Sequence, residues 1–123
     1  MNKMEVTGYF EDGELTGFYT TVQNGTELEA HFLGMDLEKN RSQQLYLNML
    51  FDIIREGIAM GAPKIVFART AMEIKSSVGA KAIEMSSFIR HRNGFSNRFI
   101  SQLMGFLSPS ESWQPRHPFK QLD

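Results

Sequence analysis

Two stretches of this sequence carry side chains whose types and spacing could do chemistry. In the first, Glu29 and His31 alternate with Leu28, Ala30 and Phe32. Residues two apart on a strand share a face at about 7 Å separation, so a carboxylate and an imidazole stand side by side. His31 is the better general base because an imidazole titrates in the neutral range; Glu29 is its rival. The plain alternative is a histidine packed beneath the C-terminal segment or at an interface. The second stretch is Arg69-Thr70-Ala71-Met72-Glu73-Ile74-Lys75-Ser76-Ser77-Val78-Gly79-Ala80, directly after the apolar run Ile65–Ala68. The carboxyl ends of strands in open sheets are where ligands sit, and Arg69 and Lys75 there can hold an anion as a fork and a mobile point charge. The alternative pairs Arg69 with Glu73 and leaves Lys75 in solvent. Thr70 reads as a helix cap with Glu73 three residues on, and a cap can adjoin a bound anion. Ser76 and Ser77 can hydrogen-bond a ligand or simply shape a loop. Tyr46 can protonate a leaving group or serve as a core residue.

Specific elements must position these groups. Val6–Phe10 and Leu15–Val22 read as strands joined by Glu11-Asp12-Gly13-Glu14, and Asn24-Gly25 leads into a third strand, Thr26–Gly34. Two tight turns make the three strands an antiparallel meander. In the third strand Leu28, Ala30 and Phe32 should face the core, and Glu29, His31 and Leu33 the other side. Asp36–Arg41 reads as a polar connection. Ser42 to about Met60 reads as a helix, with Ser42 as its N-cap and Gly61 before Pro63 as its stop. Tyr46, Met49, Leu50, Ile53, Gly57 and Ile58 form its buried stripe, and Leu47, Phe51 and Ile54 widen it, so much of its girth should be covered. A short strand over Lys64–Ala68, a helical turn from Thr70 ended by Gly79, and a strand over Glu84–His91 follow. An amphipathic helix spans Ser96–Leu107 with Phe99, Ile100, Leu103, Met104 and Leu107 inward. Residues 108–123 should form an extended tail pinned by Trp113 and Phe119. The sum is an α+β domain with a mixed, mainly antiparallel sheet flanked by helices.

Composition narrows the classes. A chain of 123 residues, 41% hydrophobic and 11% aromatic, builds one domain with a real core. No apolar run reaches the roughly 18 residues of a membrane span. The lack of cysteine excludes disulfides and thiol chemistry and fits a cytoplasmic protein. Its three histidines, with His91 and His117 far apart, offer no ligand triad, so no metal is expected. The net charge of −1 hides an asymmetry. Residues 1–62 carry four basic against ten acidic side chains, net −6, and residues 63–123 carry nine against four, net +5. The halves can attract each other within the fold or across a dimer, or the basic half can take a phosphate-bearing ligand. Arg90, His91, Arg92 and Arg98 interleave with Phe88, Phe95 and Phe99, a pattern that can contact RNA. A pI near 6.3 argues against a dedicated nucleic-acid binder.

The order of elements and the Arg69 run together resemble the GNAT-type acyltransferase fold, and more closely its FemAB-like branch of tandem GNAT-like halves. There an Arg-Ser/Thr run after a strand leads to a Lys and then Gly-Ala, as in Phe67-Ala68-Arg69-Thr70, Lys75 and Gly79-Ala80. Bacterial FemAB-like predicted acetyltransferases are similar in Ala30–Asp36, in Leu45–Asp52 and in the tail Trp113-Gln114-Pro115-Arg116-His117-Pro118-Phe119-Lys120. The resemblance covers nearly the whole chain and matches one GNAT-like unit, the C-terminal one. It implies an N-acyltransferase moving an acetyl or aminoacyl group from acetyl-CoA, another acyl-CoA or a tRNA-type donor to a small-molecule or peptide amine. His31 or Glu29 would be the base, and Arg69 and Lys75 would hold donor or acceptor. The phosphate loop of a CoA-binding GNAT is glycine-rich. Here that position reads Leu37-Glu38-Lys39-Asn40-Arg41-Ser42 without a glycine, so close backbone approach to a pyrophosphate is not evident. Asn40 and Arg41 are the residues left to contact a donor there. A single unit also leaves a sheet edge or half-interface open, so a homodimer or a non-catalytic interaction module is the rival expectation.

Overall fold

The structure, a computed structural model, describes residues 3–68, 71–86 and 88–107 together with Gln114, Arg116 and Pro118. Strands β1 (Met4–Glu11), β2 (Glu14–Asn24) and β3 (Glu27–Met35) form the antiparallel meander. The first turn places Asp12 at φ 51° and Gly13 at φ 84°, the pair of left-handed positions a two-residue hairpin of matching twist requires. Helices α1 (Leu37–Gln43) and α2 (Leu45–Ala59) then cross over to β4 (Ile65–Val66), which joins β3 in parallel. The sheet order is β1-β2-β3-β4. Beyond it lie α3 (Met72–Ser76) and α4 (Gly94–Leu107). The architecture is a small α+β domain with a four-stranded mixed sheet.

The core is the layer between α2 and one face of the sheet. Met49, Leu50 and Ile53 are fully buried, with Leu45 beside them and Tyr19, Leu28 and Ala30 from the strands. Full burial of such side chains stabilises by about 1.5–3 kcal/mol each. Gly57 lets α2 approach β4: a Cβ there would lie 2.5 Å from Ile65 Cδ1.

Several sequence expectations are corrected. The segment expected as a polar connection is helix α1, capped by Asp36, whose carboxylate accepts from the N–H groups of Glu38 (2.8 Å) and Lys39 (3.3 Å). Ser42 is therefore not an N-cap. Gln44 adopts the left-handed conformation, φ 52° and ψ 41°, and splits the expected single helix in two. In β3, Leu28 and Ala30 do face the core, but Phe32 does not. The pairing jumps from Thr21↔Ala30 to Tyr19↔Leu33, so His31 and Phe32 together oppose Thr20 in a bulge. An extra residue shifts the alternation by one. Leu33 turns to the core and Phe32 is left 60% exposed. The Thr20 hydroxyl completes the bulge by accepting from Phe32 N–H at 2.9 Å.

The expected strand over Glu84–His91 is absent: residues 80–86 and 88–91 form neither helix nor strand. A strand needs an edge to pair with, and the two residues of β4 offer almost none. The α4 stripe is not inward, since Phe99 and Leu103 are 52% and 58% exposed. The third turn starts at Met72 after Ala71 in the left-handed region, not at a Thr70 cap. Arg69, Thr70, Trp113, His117, Phe119 and Lys120 lie outside the described residues. Of the expected extended tail, Gln114, Arg116 and Pro118 belong to no helix or strand.

Candidate functional site

The parallel pair β3–β4 sets the candidate site. Glu29 faces Val66 across it. His31 and Ala68 each stand two residues further on, His31 half-way along β3 and Ala68 just beyond the end of β4. The main chain of Ala68 accepts a hydrogen bond from Lys75 Nζ. Lys75 is thus tied to the main chain just beyond β4, and Glu29 and His31 lie on β3 where β4 stops and β3 continues alone. Open sheets use the ends of their strands for ligands, and of this pair only β4 ends here.

Each group has a definite setting. Glu29 pairs with Val22 on β2, so its side chain takes the face opposite α2, where it accepts from Asn24 Nδ2 at 2.7 Å. His31 is exposed, its ring edge-on to Phe32 with centroids 4.4 Å apart. Lys75 is 4% exposed, and burial lowers its pKa because desolvation disfavours the charged form. Ser76, 3% exposed, donates to Glu73 O at 2.6 Å and accepts from Arg116 N–H at 2.8 Å. The Arg116 guanidinium also clasps the Glu73 carboxylate at 2.6 Å. Arg116 therefore rests on α3 and holds the carboxylate that the sequence offered to Arg69.

The remaining candidates belong to the α2 side. Asn40 Oδ1 accepts from Tyr46 N–H at 2.8 Å, which stitches α1 to the start of α2. Tyr46 is half-buried, and burial raises its pKa, so its phenol keeps its proton at neutral pH. Arg41 is exposed in the last turn of α1. Where a phosphate loop would lie, the Asp36 carboxylate already occupies the free N–H groups of Glu38 and Lys39. Asn40 and Tyr46 are brought together, and Glu29 lies on the other face of the sheet from them. Among the described residues no cluster of His, Asp and Glu is grouped to hold a metal ion.

Comparison of the chain with protein-family models, with curated proteins and with solved structures gave no match. No helix among the described residues is long and apolar enough to cross a membrane.

A second constellation escaped the sequence reading. Tyr9 donates its phenolic O–H to Asp52, and Arg55 pairs with the other oxygen of the same carboxylate. Burial, then the bond to Asp52, raises the Tyr9 pKa. These groups line a groove of about 550 Å³ between α2 and β1, walled by Phe51, Ile54 and Ile58. The groove lies on the far side of the sheet from β4, away from Lys75. Its apolar wall was visible in the sequence as the widened stripe of α2. Tyr9 was not, because it lies 43 residues from Asp52.

Proposed function

We propose that this chain is one GNAT-like unit of a cytoplasmic FemAB-like N-acyltransferase, moving an acetyl or aminoacyl group from a CoA-type or tRNA-type donor to a primary amine. The observation that supports this reading is that Lys75 is tied to the main chain just past β4, the strand that pairs with β3 at Glu29. Transfer to an amine needs one proton removed as nitrogen attacks the acyl carbon and one delivered to the leaving group. His31, exposed on β3, takes the first, with Glu29 as its rival. Tyr46, the sequence's candidate for the second, lies on the α2 side of the sheet, across from Glu29, so solvent supplies that proton. Lys75 and Ser76, with Arg69 and Thr70 preceding them in the chain, hold the anionic donor or a carboxylate on the acceptor. Asn40 and Arg41 contribute from α1.

Calorimetric titration of the chain with acetyl-CoA, and separately with aminoacyl-tRNA, tests this. Saturable binding of either donor, weakened at least tenfold in Lys75→Ala, with amine-dependent product formation lost in His31→Ala or Glu29→Gln, is the expected result. Binding unchanged in Lys75→Ala removes the site assignment, and binding of neither donor removes the enzyme.

One observation favours a second reading, a non-catalytic GNAT-like interaction module: Arg116 sits on Ser76 and Glu73. Under that reading Arg116→Ala uncovers α3 without creating donor binding. Under the first it tightens donor binding by clearing the site.

A further inference from the structure

We infer that β1 is a homodimerisation edge, on which a second copy of this chain pairs antiparallel through its own β1 to make one continuous eight-stranded sheet. Strand β1 ends the sheet, and among the described residues no strand pairs with its other edge. Its eight residues, Met4–Glu11, contain no proline and no lysine, the residues that ordinarily protect an open edge. Alternate main-chain N–H and C=O groups along it therefore point away from β2 without a partner strand.

The sequence of β1 selects a second copy as the occupant. Pairing about a two-fold axis perpendicular to the sheet requires facing side chains to share a face. Glu5, Thr7 and Tyr9 take the α2 face, opposite Thr21, Tyr19 and Gly17, while Met4, Val6, Gly8 and Phe10 take the open face. With Thr7 on the axis, Val6 faces Gly8, Glu5 faces Tyr9, Met4 faces Phe10, and Lys3 faces Glu11. Every pair matches faces, and the outermost pair joins opposite charges. Placing Gly8 on the axis instead sets Glu5 against Glu11, two like charges directly opposite. Placing Val6 there sets Lys3 against Tyr9 and strands Phe10 and Glu11 beyond the pairing.

Two more observations agree. Within one copy Glu11 is paired with Lys39 and Lys3 with Glu5, so setting Lys3 opposite Glu11 joins two ion pairs into one network of alternating charge. The chosen register also brings the second copy's Glu5 opposite Tyr9, beside the groove that Arg55 lines with a largely exposed guanidinium. The apolar wall of that groove, Phe51 at 48% and Ile58 at 72% exposure, flanks the same edge.

The test uses the absence of native cysteine. Sedimentation velocity of the full chain from micromolar to hundreds of micromolar should show a reversible dimer. Thr7→Cys then places two thiols across the axis, at the Cα separation of about 4.5–5.5 Å typical of facing strand residues, which a disulfide accepts. Thr7→Cys should therefore cross-link in the dimer upon mild oxidation, while Val6→Cys and Gly8→Cys should not. Thr7→Lys, which sets two ammonium groups on the axis, should abolish the dimer with an unchanged circular dichroism spectrum. A monomer at every concentration overturns the proposal. So does preferential cross-linking at Val6 or Gly8, or a dimer indifferent to Thr7→Lys.

Discussion

Lys75 is the residue where stability and the proposed activity pull apart. Its side chain is inside, and among the described residues its Nζ has one partner, an uncharged carbonyl. A buried cation without a counter-charge costs free energy. The direction with pH follows from its lowered pKa. Below the folded value both states carry the charge and the full desolvation cost is present. Between that value and the ordinary 10.5 the unfolded chain binds the proton that the folded chain gives up, so stability rises with pH until it levels off above 10.5. Lys75→Met keeps the length of the side chain and removes the charge. It should stabilise the protein by about 1 kcal/mol or more at neutral pH and abolish that alkaline gain, as read by urea unfolding at several pH values. It should also lose donor binding, the usual cost of building a site from an unfavourable charge. A variant less stable than the parent at neutral pH would mean that the ammonium has a counter-ion. That Glu29 and His31 share one strand was legible because the alternating pattern is local. The buried state of Lys75 was not, since a lysine in a short polar helix reads as solvated until the chain beyond β4 is placed against it at Ala68.

At the scale of elements, the bulge in β3 and the contact of α2 with β4 decide how the site is aimed. Thr20→Val keeps the shape of the threonine but leaves the Phe32 N–H without its 2.9 Å acceptor. An unsatisfied, partly buried donor costs about 1–3 kcal/mol, so the midpoint of denaturant unfolding should fall accordingly. Amide exchange should accelerate first at His31 and Phe32. Unchanged exchange there would show that the bulge does not depend on the hydroxyl. Gly57→Ala tests the second contact. The substitution gains about 1 kcal/mol of helix propensity and drives a methyl group to 2.5 Å from Ile65 Cδ1 and 2.7 Å from Cγ1. Overpacking of that kind costs about 1–3 kcal/mol and wins, for a net loss of about 1 kcal/mol, which Ile65→Val in the same chain should partly restore. A stabilised Gly57→Ala protein would place α2 farther from β4. The hairpins, the main helix and the mixed sheet were legible because their signals are local: Asp12-Gly13, the apolar stripe from Met49 to Gly57, and Gly61 at φ 68° as the stop. What was not legible depended on partners. Gln44 in a left-handed conformation carries no local signature. The alternation of Met85, Phe88 and Ile89 has a strand pattern but no strand edge to join. The bulge moved Phe32 off the core by a shift of one residue that the alternating pattern cannot record.

At the scale of the whole molecule, the described residues cover the sheet on one face, and the tyrosines report on that. Helix α2 covers one face of the sheet, while Met4, Val6, Phe10 and Phe32 on the strands remain more than half exposed. The dimer edge proposed for β1 extends this sheet without covering that face. All three tyrosines of the chain, Tyr9, Tyr19 and Tyr46, belong to the α2 layer, and burial is the leading cause that raises the pKa of each. A phenol is neutral when protonated, so a raised folded pKa means that the unfolded chain loses its proton first. Up to the ordinary value of 10.0 both states are protonated and nothing changes. Above it the unfolded state gains free energy from ionisation that the folded state cannot, and stability falls with each further rise in pH. Lys75 works the other way, but it is one group against three and its contribution ends near 10.5. Alkaline titration should therefore show little tyrosinate absorbance while the fold persists, and then its cooperative appearance together with loss of the circular dichroism signal. In Tyr9→Phe the Asp52 carboxylate keeps Arg55 but loses its phenol, so neutral stability should drop by about 1 kcal/mol while the transition shifts to higher pH relative to that lower starting stability. Tyrosinate appearing near pH 10 with the fold intact would mean that the α2 layer admits water. The core described here, a single helix closing a single face, would then be looser than its packing implies.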